Sequence, residues 1–384
     1  MSERRVLPVV VVVLVALLVL VVGLWATQTA RKTAPAAQMQ NLSTDVFEWK
    51  LVTTWPKNLP GLGGGPEDFA RSVNAMSGGR LKISVYGAGE IVPAFEVFDA
   101  VSQGVAQVGH GAAYYWKGKI PAAIFFTAVP FGMTAQEMNG WLHNGGGMDL
   151  WRELYAPYNV IPFAGGSTGV QMAGWFNRAI NSGADLKGLK MRIPGLAGEV
   201  FDASGGTAVR IAGGGIYTAI QTGVIDAVEW VGPYNDRTLG LQQVAEYYYY
   251  PGWHEPGAML EFTVNADAYA ALPEDLQAIV TYAARAANQS MLDEFTAENN
   301  ASLQSLLVDG VKLRQLPDDV MALLYKNAKI AMAALVASDP MAAKINASYS
   351  RFAEDVRVYH EISERAYLNA RDKVLPKINL DSAE

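Results

Sequence analysis

Strand-forming and helix-forming segments alternate along residues 47–116, and this alternation restricts the fold more than any other feature of the chain. The segments FEWKLVTTW (47–55), RLKISVYGAGE (80–90) and VAQVGHGAAYYW (105–116) carry the alternating or apolar patterns of strands. Between them, residues 67–76 and 93–104 have helical spacing, and glycine closes each helix. This order predicts an α/β domain with a largely parallel sheet.

The same alternation returns in the second half of the chain. Residues 159–176 hold one or two strands, residues 183–211 are predicted as strand, helix and strand, and residues 213–236 as helix and then strand. Residues 247–265 are predicted as two strands that cross from one part of the fold to the other. A helical pattern over residues 273–307 then continues for about nine or ten turns. A helix of that length is too long for one small domain, so it should brace two lobes.

A division of the chain follows from this order. Residues 45–165 with about 250–290 are predicted to form lobe I, and residues 166–249 with about 300–340 to form lobe II. Residues 341–375 are predicted as a C-terminal helix with one apolar stripe that must be buried, either on the same chain or on a second subunit. The stripe comprises Ile345, Tyr349, Phe352, Val356, Tyr359 and Ile362.

The first 44 residues are predicted to be a signal peptide or an N-terminal anchor plus linker. Arg4 and Arg5 precede an apolar run over residues 6–26 that is long enough to span a bilayer. Small residues near Ala30 and Ala37, followed by a polar linker over 38–44, favour cleavage of a signal peptide. Both alternatives export the rest of the chain, so a periplasmic location is expected.

Composition excludes several classes of partner and site. The 384 residues include no cysteine, which rules out disulfides and thiolate metal sites. The net charge of −7 is mixed along the chain without a basic stripe, so nucleic acid is not an expected partner. Only four histidines occur, and no two have the spacing of zinc ligands.

Glycine, aromatic and polar residues concentrate at the carboxyl ends of the predicted strands, where α/β sheets bind ligands. The segments are GAGE (87–90), HGAAYYW (110–116), GGSTGVQ (165–171), RIPGLAG (192–198) and EWVGPYND (229–236). With two lobes and an exported location, they predict a solute-binding protein that clamps its ligand by hinge closure.

Two of these regions carry a family resemblance. LKGLKMRIPG (186–195) followed by AIQTGVIDAVEW (219–230) resembles the periplasmic binding subunits of tripartite ATP-independent periplasmic (TRAP) transporters, across essentially all of the exported chain. Glu229-Trp230 with the downstream WHEPG (253–257) resembles the branch that binds 2-oxo or 2-hydroxy acids with a cation. The resemblance implies a two-lobed periplasmic binding protein fold with a cleft between the lobes, a long helix spanning both, and no catalysis. Some members of this branch dimerise by exchanging the C-terminal helix.

Arg192 and Glu229 are the central candidates for the site. A guanidinium at a strand end can grip a carboxylate through two parallel charge-assisted hydrogen bonds, and the family motif favours that role for Arg192. Glu229 lies among apolar neighbours, although an unpaired carboxylate is costly to bury. Either a pair with a nearby Lys or Arg, Arg192 included, or a bound cation would compensate it.

By resemblance, the cation site comprises Gln171, Glu229, the backbone carbonyl of Trp230, and Glu255. Oxygen ligands of this kind suit hard cations. Glu255 in WHEPG has the alternative role of a hinge residue that bonds the backbone. Na⁺ is the expected ion if Glu255 does not take part, and Ca²⁺ is the alternative if it does.

The remaining candidates are donors that could reach the ligand. Tyr114 and Tyr115 follow a strand, and alternation along an extended segment would point one of them to the core and the other, Tyr115 by resemblance, to the ligand. Thr168 in GGSTG and Asn235 could donate to ligand oxygens, or could instead belong to turns.

The expected function is capture of a small 2-oxo or 2-hydroxy monocarboxylate of the pyruvate or lactate type and its delivery to a TRAP membrane permease. One alternative is a membrane-anchored sensor module that binds the same class of ligand. An exported enzyme, with His254 as general base, is disfavoured because no Ser-His-Asp order, paired catalytic carboxylates or metal–histidine motif is evident. A homodimer is expected by resemblance.

Overall fold

A computed structural model describes residues 6–32 and 45–376 of the chain. The first of these stretches is the helix α1 (Val6–Lys32), which belongs to a compact unit separate from the one that begins at Val46. The expected cleavage position at Ala37, the polar linker 38–44, and Arg4 and Arg5 lie outside the described residues.

Eleven strands and twelve further α-helices make up the unit that begins at Val46, within the described residues. The strands are β1 Phe47–Thr53, β2 Leu81–Tyr86, β3 Val108–Gly111, β4 Val160–Ser167, β5 Gly174–Phe176, β6 Lys190–Arg192, β7 Thr207–Val209, β8 Ala227–Val228, β9 Tyr247–Tyr250, β10 Met259–Asn265 and β11 Lys312–Gln315. The helices are α2 Gly64–Met76, α3 Val97–Ser102, α4 Ala135–Asn144, α5 Gly147–Tyr155, α6 Gly195–Ala203, α7 Ile216–Gln221, α8 Pro233–Thr238, α9 Ala266–Ala270, α10 Glu274–Val308, α11 Asp318–Ser338, α12 Pro340–Ile362 and α13 Glu364–Val374.

The strands form two sheets, and each sheet is the centre of one lobe. The sheet of lobe I has the order β2-β1-β3-β10-β4, and the sheet of lobe II has the order β11-β9-β5-β8-β6-β7. Both are mixed rather than largely parallel, because β10 runs antiparallel to β3 and β4, and β5 runs antiparallel to β8 and β9. Strands that the chain reaches by crossing between lobes enter the sheet from the opposite end, which local sequence patterns do not reveal.

Covered strands explain the apolar and aromatic runs of the sequence. In β9, the YYYY segment, Tyr248 and Tyr249 are both fully buried, so both faces of this strand are covered. Tyr248 stacks on Trp175 of β5, with ring centroids 4.0 Å apart. Aromatic cross-strand pairs of this kind stabilise a sheet and fix its register.

The helix α10 connects both lobes. Its 35 residues pack on α2 and β4 of lobe I and on α8 at the edge of lobe II. On lobe I, Asn288 accepts a hydrogen bond of 3.1 Å from the backbone amide of Gly166. On the other side, Glu294 accepts one of 3.0 Å from the hydroxyl of Tyr234. The predicted long helix is therefore confirmed, and it provides a rigid support on which the lobes are arranged.

Among the described residues, one helix, α11, is long and apolar enough to cross a membrane by length and composition alone, while Val11–Trp25 is apolar but shorter. α11 begins with Asp318 and Asp319 and packs Val320 and Leu324 into the core of lobe II. This is the pattern of a helix that belongs to a folded domain.

The predicted C-terminal helix over residues 341–375 is two helices. The backbone breaks at Ser363, between α12 and α13. The predicted stripe also divides, because Ile345 and Tyr349 are buried on the same chain, whereas Tyr359 and Ile362 are 63% and 77% exposed. Helical periodicity finds an apolar stripe but does not tell which part of it has a partner.

Candidate ligand and cation site

Arg192 and Glu229 meet at the carboxyl ends of two neighbouring parallel strands. Arg192 is the last residue of β6 and pairs in register with Val228, the last residue of β8. Glu229 follows directly, and its backbone amide donates a hydrogen bond of 3.2 Å to the carbonyl of Arg192. Both side chains are buried, with exposures of 1% and 0%. The sheet topology thus places two opposite charges side by side in the interior.

Arg192 compensates the carboxylate of Glu229. Its Nη1 donates to Oε1 of Glu229 and, at 3.0 Å, to the carbonyl of the same residue, while its Nε donates to the carbonyl of Ile211 at 3.1 Å. Burial alone would lower the pKa of Arg192, but the charge of Glu229 opposes this, and the pKa lies above its ordinary value. The guanidinium also lies 5.0 Å from the centre of the Trp230 ring.

Gln171 and Glu255 form the next part of the site, on the segments that follow β4 and β9. Nε2 of Gln171 donates hydrogen bonds to Oε2 of Glu255 at 2.7 Å and to the hydroxyl of Thr168 at 3.0 Å. Backbone bonds also join the two segments, since the amide of Gln171 donates to the carbonyl of Glu255 at 3.1 Å. All three side chains are buried. Residues 84 positions apart are thus held in contact.

These residues fit a hard cation. Ligand atoms of Glu229, His254 and Glu255 all lie within 4.8 Å of one another. Oε1 of Gln171 is buried, and among the described residues it has no hydrogen-bond partner. Burial first, and then the charge of Glu229, raise the pKa of Glu255 to about 7. An unused amide oxygen beside two buried carboxylates is a donor set that a bound Na⁺ or Ca²⁺ would complete.

Tyr114 and Tyr115 approach this cluster from lobe I. They lie on a 3₁₀ turn, Ala113–Trp116, and not on an extended segment, so alternation does not separate them. The hydroxyl of Tyr115 lies 3.3 Å from Nη2 of Arg192, and the charge of Glu255 adds to burial in raising the pKa of Tyr114. Both rings therefore face the cluster, with centroids 4.9 Å apart. Burial raises the pKa of both hydroxyls, which keeps them as neutral donors.

Trp230 and Asn235 flank the cluster in different ways. The Trp230 ring packs edge-on against Trp55 of lobe I, with centroids 6.1 Å apart, and its buried Nε1 has no partner among the described residues. Trp230 thus lines the contact between the lobes. Asn235 lies on α8, and its Nδ2 donates to the carbonyl of Pro60 at 2.8 Å. This side-chain bond ties α8 to lobe I, while the buried Oδ1 of Asn235 has no hydrogen-bond partner among the described residues.

Two residues of the site were not identified as such from the sequence. The sequence offers His254 only as a general base, yet its Nε2 lies 3.2 Å from Oε2 of Glu229; its place beside Glu255 is the signal for this role. Asp236 accepts hydrogen bonds of 3.1 Å from the amides of Val231 and Gly232, and so fixes the turn that carries the carbonyl of Trp230. In the sequence, Asp236 is distinguished only as an acidic residue within a segment that also contains aromatic residues.

Comparisons with known proteins show what the chain is similar to. The model of the DctP family, bacterial extracellular solute-binding protein family 7, matches residues 51–339. A monocarboxylate 2-oxoacid-binding periplasmic protein of Nostoc sp. is 42% identical over 321 residues, which cover 84% of this chain and 88% of that protein.

Solved structures are similar over most of the chain. A TRAP periplasmic solute-binding protein from Pseudoalteromonas atlantica, with bound sodium and pyruvate, is 43% identical and has a TM-score of 0.82; the match covers 85% of this chain and 99% of that chain. One from Bordetella bronchiseptica is 36% identical, with a TM-score of 0.84 and coverage of 85% and 97%. It is a mixed-occupancy dimer with copurified calcium and picolinate in one active site and an apo second site.

Proposed function

The chain belongs to the DctP family of bacterial extracellular solute-binding proteins, and on that basis we propose that it captures a short 2-oxo or 2-hydroxy monocarboxylate together with a cation. It then delivers the acid, of the pyruvate or lactate type, to the membrane permease of a TRAP transporter. The observation that carries the proposal is the unpartnered Gln171 oxygen beside the buried carboxylates of Glu229 and Glu255, next to Arg192.

Arg192 would exchange partners when the acid binds. Glu229 accepts hydrogen bonds from the guanidinium, so an incoming carboxylate must take over those donors. A bound cation, held by Gln171, Glu229, the Trp230 carbonyl and Glu255, would supply the positive charge that Glu229 then lacks. The hydroxyl of Tyr115 adds a donor from lobe I, so closure of the cleft completes the ligand's hydrogen bonds.

Thr168 and Asn235 would act less directly. Thr168 would hold the Gln171 amide in place, since its hydroxyl accepts a hydrogen bond from Gln171 Nε2 and leaves Oε1 available to a cation. We place Asn235 at the contact between the lobes rather than on the acid, because its amide bonds Pro60. The site residues proposed for the acid itself are therefore Arg192, Tyr115 and Tyr114, with Trp230 as a wall of the pocket.

The experiment is a calorimetric titration of pyruvate into chelator-treated protein, in sodium-free buffer and then with Na⁺ or Ca²⁺ restored. We expect binding only with an ion present, and the ion that restores it more strongly identifies the cation. Glu229→Gln should remove the dependence on the ion. Glu261→Gln is the matched control, because Glu261 is an equally buried glutamate outside the cluster. Equal affinity in all buffers would refute the cation-dependent site.

We further propose that α1 is a secretion signal that is removed on export, as suits the periplasmic location of this family. Lobe I (45–165 with about 250–290) and lobe II (166–249 with about 300–340) would move as units about the strands that join them. Amino-terminal sequencing of the exported protein tests whether α1 is removed. An intact α1 would instead favour the anchored sensor module.

A homodimer is the third part of the proposal. The Bordetella bronchiseptica relative is described as a dimer, and α12 and α13 of this chain expose several large apolar residues. These residues are Val358, Tyr359, Ile362, Tyr367, Leu368 and Val374.

A family defined by solute binding also points away from catalysis, so the buried carboxylates are assigned to binding and not to acid–base chemistry.

A further inference from the structure

Arg210 reaches from one lobe to the other at the rim of the cleft. It follows β7 in lobe II, and its Nη1 donates a hydrogen bond of 3.0 Å to the backbone carbonyl of Tyr115 in lobe I. Its guanidinium also lies over the ring of Phe95, 4.3 Å from the centroid. A planar guanidinium can make both contacts at once, because its donors lie in the plane and its faces remain free to stack.

Lys117 makes the reciprocal contact, from lobe I to lobe II. Its Nζ pairs with the carboxylate of Glu199 and lies 3.4 Å from the carbonyl of Gly195, both on α6. The backbone of Gly195 lies close to the side chain of Tyr114, since a Cβ on Gly195 would lie 3.2 Å from the Tyr114 ring. Each lobe therefore sends one cationic side chain across the cleft to a backbone carbonyl of the other.

Both contacts lie at the 3₁₀ turn of lobe I that carries Tyr115 and faces Arg192. The ring of Tyr115 packs against Phe95 with centroids 5.0 Å apart, and its hydroxyl lies near Arg192. We propose that Arg210 and Lys117 are positioning residues that hold the lobes closed and so set how long the acid is retained, without touching it. This inference rests on the proposed function, because it concerns the same cleft.

Contacts made only in the closed form act on every ligand alike. They raise the closed population before a ligand arrives, and they slow reopening afterwards. Their loss should therefore raise the Kd of all acids by one common factor, mostly through faster dissociation. A residue that touched the ligand would instead change the relative affinities of different acids.

The test compares Arg210→Gln with wild type in two measurements. Small-angle scattering of the ligand-free protein should show a larger radius of gyration, because the open form gains population. Dissociation of pyruvate and of a larger, branched 2-oxo acid should speed up by the same factor, about tenfold for the loss of a charged hydrogen bond and an exposed cation–π contact. Arg210→Lys, which keeps a charged donor but not the planar stack, should lie between.

Arg314→Gln is the matched control. Arg314 also lies over an aromatic ring, 5.8 Å from the centroid of Tyr247, but both residues are in lobe II. This variant should leave scattering and dissociation unchanged. For the second contact, Lys117→Glu and Glu199→Lys should each speed dissociation, and the double exchange should restore part of the wild-type rate.

Unchanged scattering and dissociation in Arg210→Gln would overturn the inference, and so would different factors for the two acids. Arg210 is exposed at the rim, so the melting temperature of Arg210→Gln should be close to that of wild type. If Arg210→Gln is destabilised, the scattering and dissociation of Arg210→Lys provide the test instead. The scattering measurement needs no ligand. If wild type binds neither acid, the proposed function fails, while the scattering still decides whether Arg210 holds the lobes together.

Discussion

Glu229 is a buried carboxylate whose partners are side chains of the same chain. Arg192 and His254 both contact it, and Arg192 supplies the opposite charge. Breaking a buried pair from one side typically costs about 3–5 kcal/mol, because an uncompensated charge remains. A ligand that takes Arg192 away from Glu229 must therefore come with a replacement charge, which is the physical reason to expect a cation.

Substitutions of Arg192 should separate its structural role from its binding role. Arg192→Ala should lower the free energy of unfolding by about 3–5 kcal/mol as well as abolish acid binding, because Glu229 is left unpaired. Arg192→Lys should keep most of the stability yet weaken acid binding by about 10- to 100-fold, since one ammonium cannot replace the two-pronged guanidinium. Denaturant unfolding and calorimetry measure the two quantities. Wild-type affinity in Arg192→Lys would remove the guanidinium from the site.

Glu261 should make stability depend on pH. It is buried in β10 and accepts hydrogen bonds from Trp116 and, at 2.9 Å, from Tyr155, and burial raises its pKa from 4.5 to about 8. Between these values the native state binds the proton that the unfolded state has lost, so stability falls as pH rises from about 4.5 to about 8.

The matching variant is Glu261→Gln, which keeps the shape without the ionisation. It should be more stable than wild type at pH 8 by roughly 2–4 kcal/mol, and the difference should shrink towards pH 5. Denaturant unfolding at several pH values measures this. A difference that stays constant with pH would mean that Glu261 titrates normally.

At the scale of elements, the two halves of α12 have different surroundings. Its first half is part of the monomer core, since Tyr349 is buried and its hydroxyl accepts a hydrogen bond of 2.9 Å from the amide of Met133. Its second half and α13 expose large apolar residues. Truncation after Ser338 would therefore damage the fold itself and is an ambiguous test of assembly.

Substitutions in the exposed half are a cleaner test of the proposed dimer. Val358→Glu combined with Ile362→Glu should convert the dimer to a monomer, because charges would be buried at the interface, while the melting temperature of the monomer core should change little. Both residues are more than 70% exposed in the single chain, at 72% and 77%. Light scattering measures the mass. A variant with the wild-type mass would place any interface elsewhere.

At the scale of the whole molecule, acid and cation should be coupled through closure. Each alone leaves a charge in the cleft uncompensated, so closure should be complete only with both. By linkage, the factor by which the cation raises acid affinity must equal the factor by which the acid raises cation affinity, and couplings of about 5- to 150-fold are typical.

Small-angle scattering and calorimetry together check this coupling. The radius of gyration should fall more with pyruvate and cation together than with either alone, and the two affinity factors should agree within error. A fall of the same size with pyruvate in ion-free buffer would show that the cation has no part in closure.

The sequence by itself determined which segments become strands and helices, and which residues lie at strand ends. Hydrophobic periodicity is a local signal, so β6, α6 and β7 were predictable, as was the long helix α10. Because the carboxyl ends of parallel strands collect at one edge of a sheet, Arg192 and Glu229 could also be named in advance.

Only the tertiary structure decided how those residues are paired. Arg192 and Glu229 are 37 positions apart, and Arg210 and Tyr115 are 95 apart, so their contacts depend on sheet order and on lobe closure. The antiparallel entry of β10 and the 3₁₀ turn that carries Tyr114 and Tyr115 to the cluster likewise come from packing. Local patterns record what a segment must bury, whereas the partner that covers it is set by distant parts of the chain.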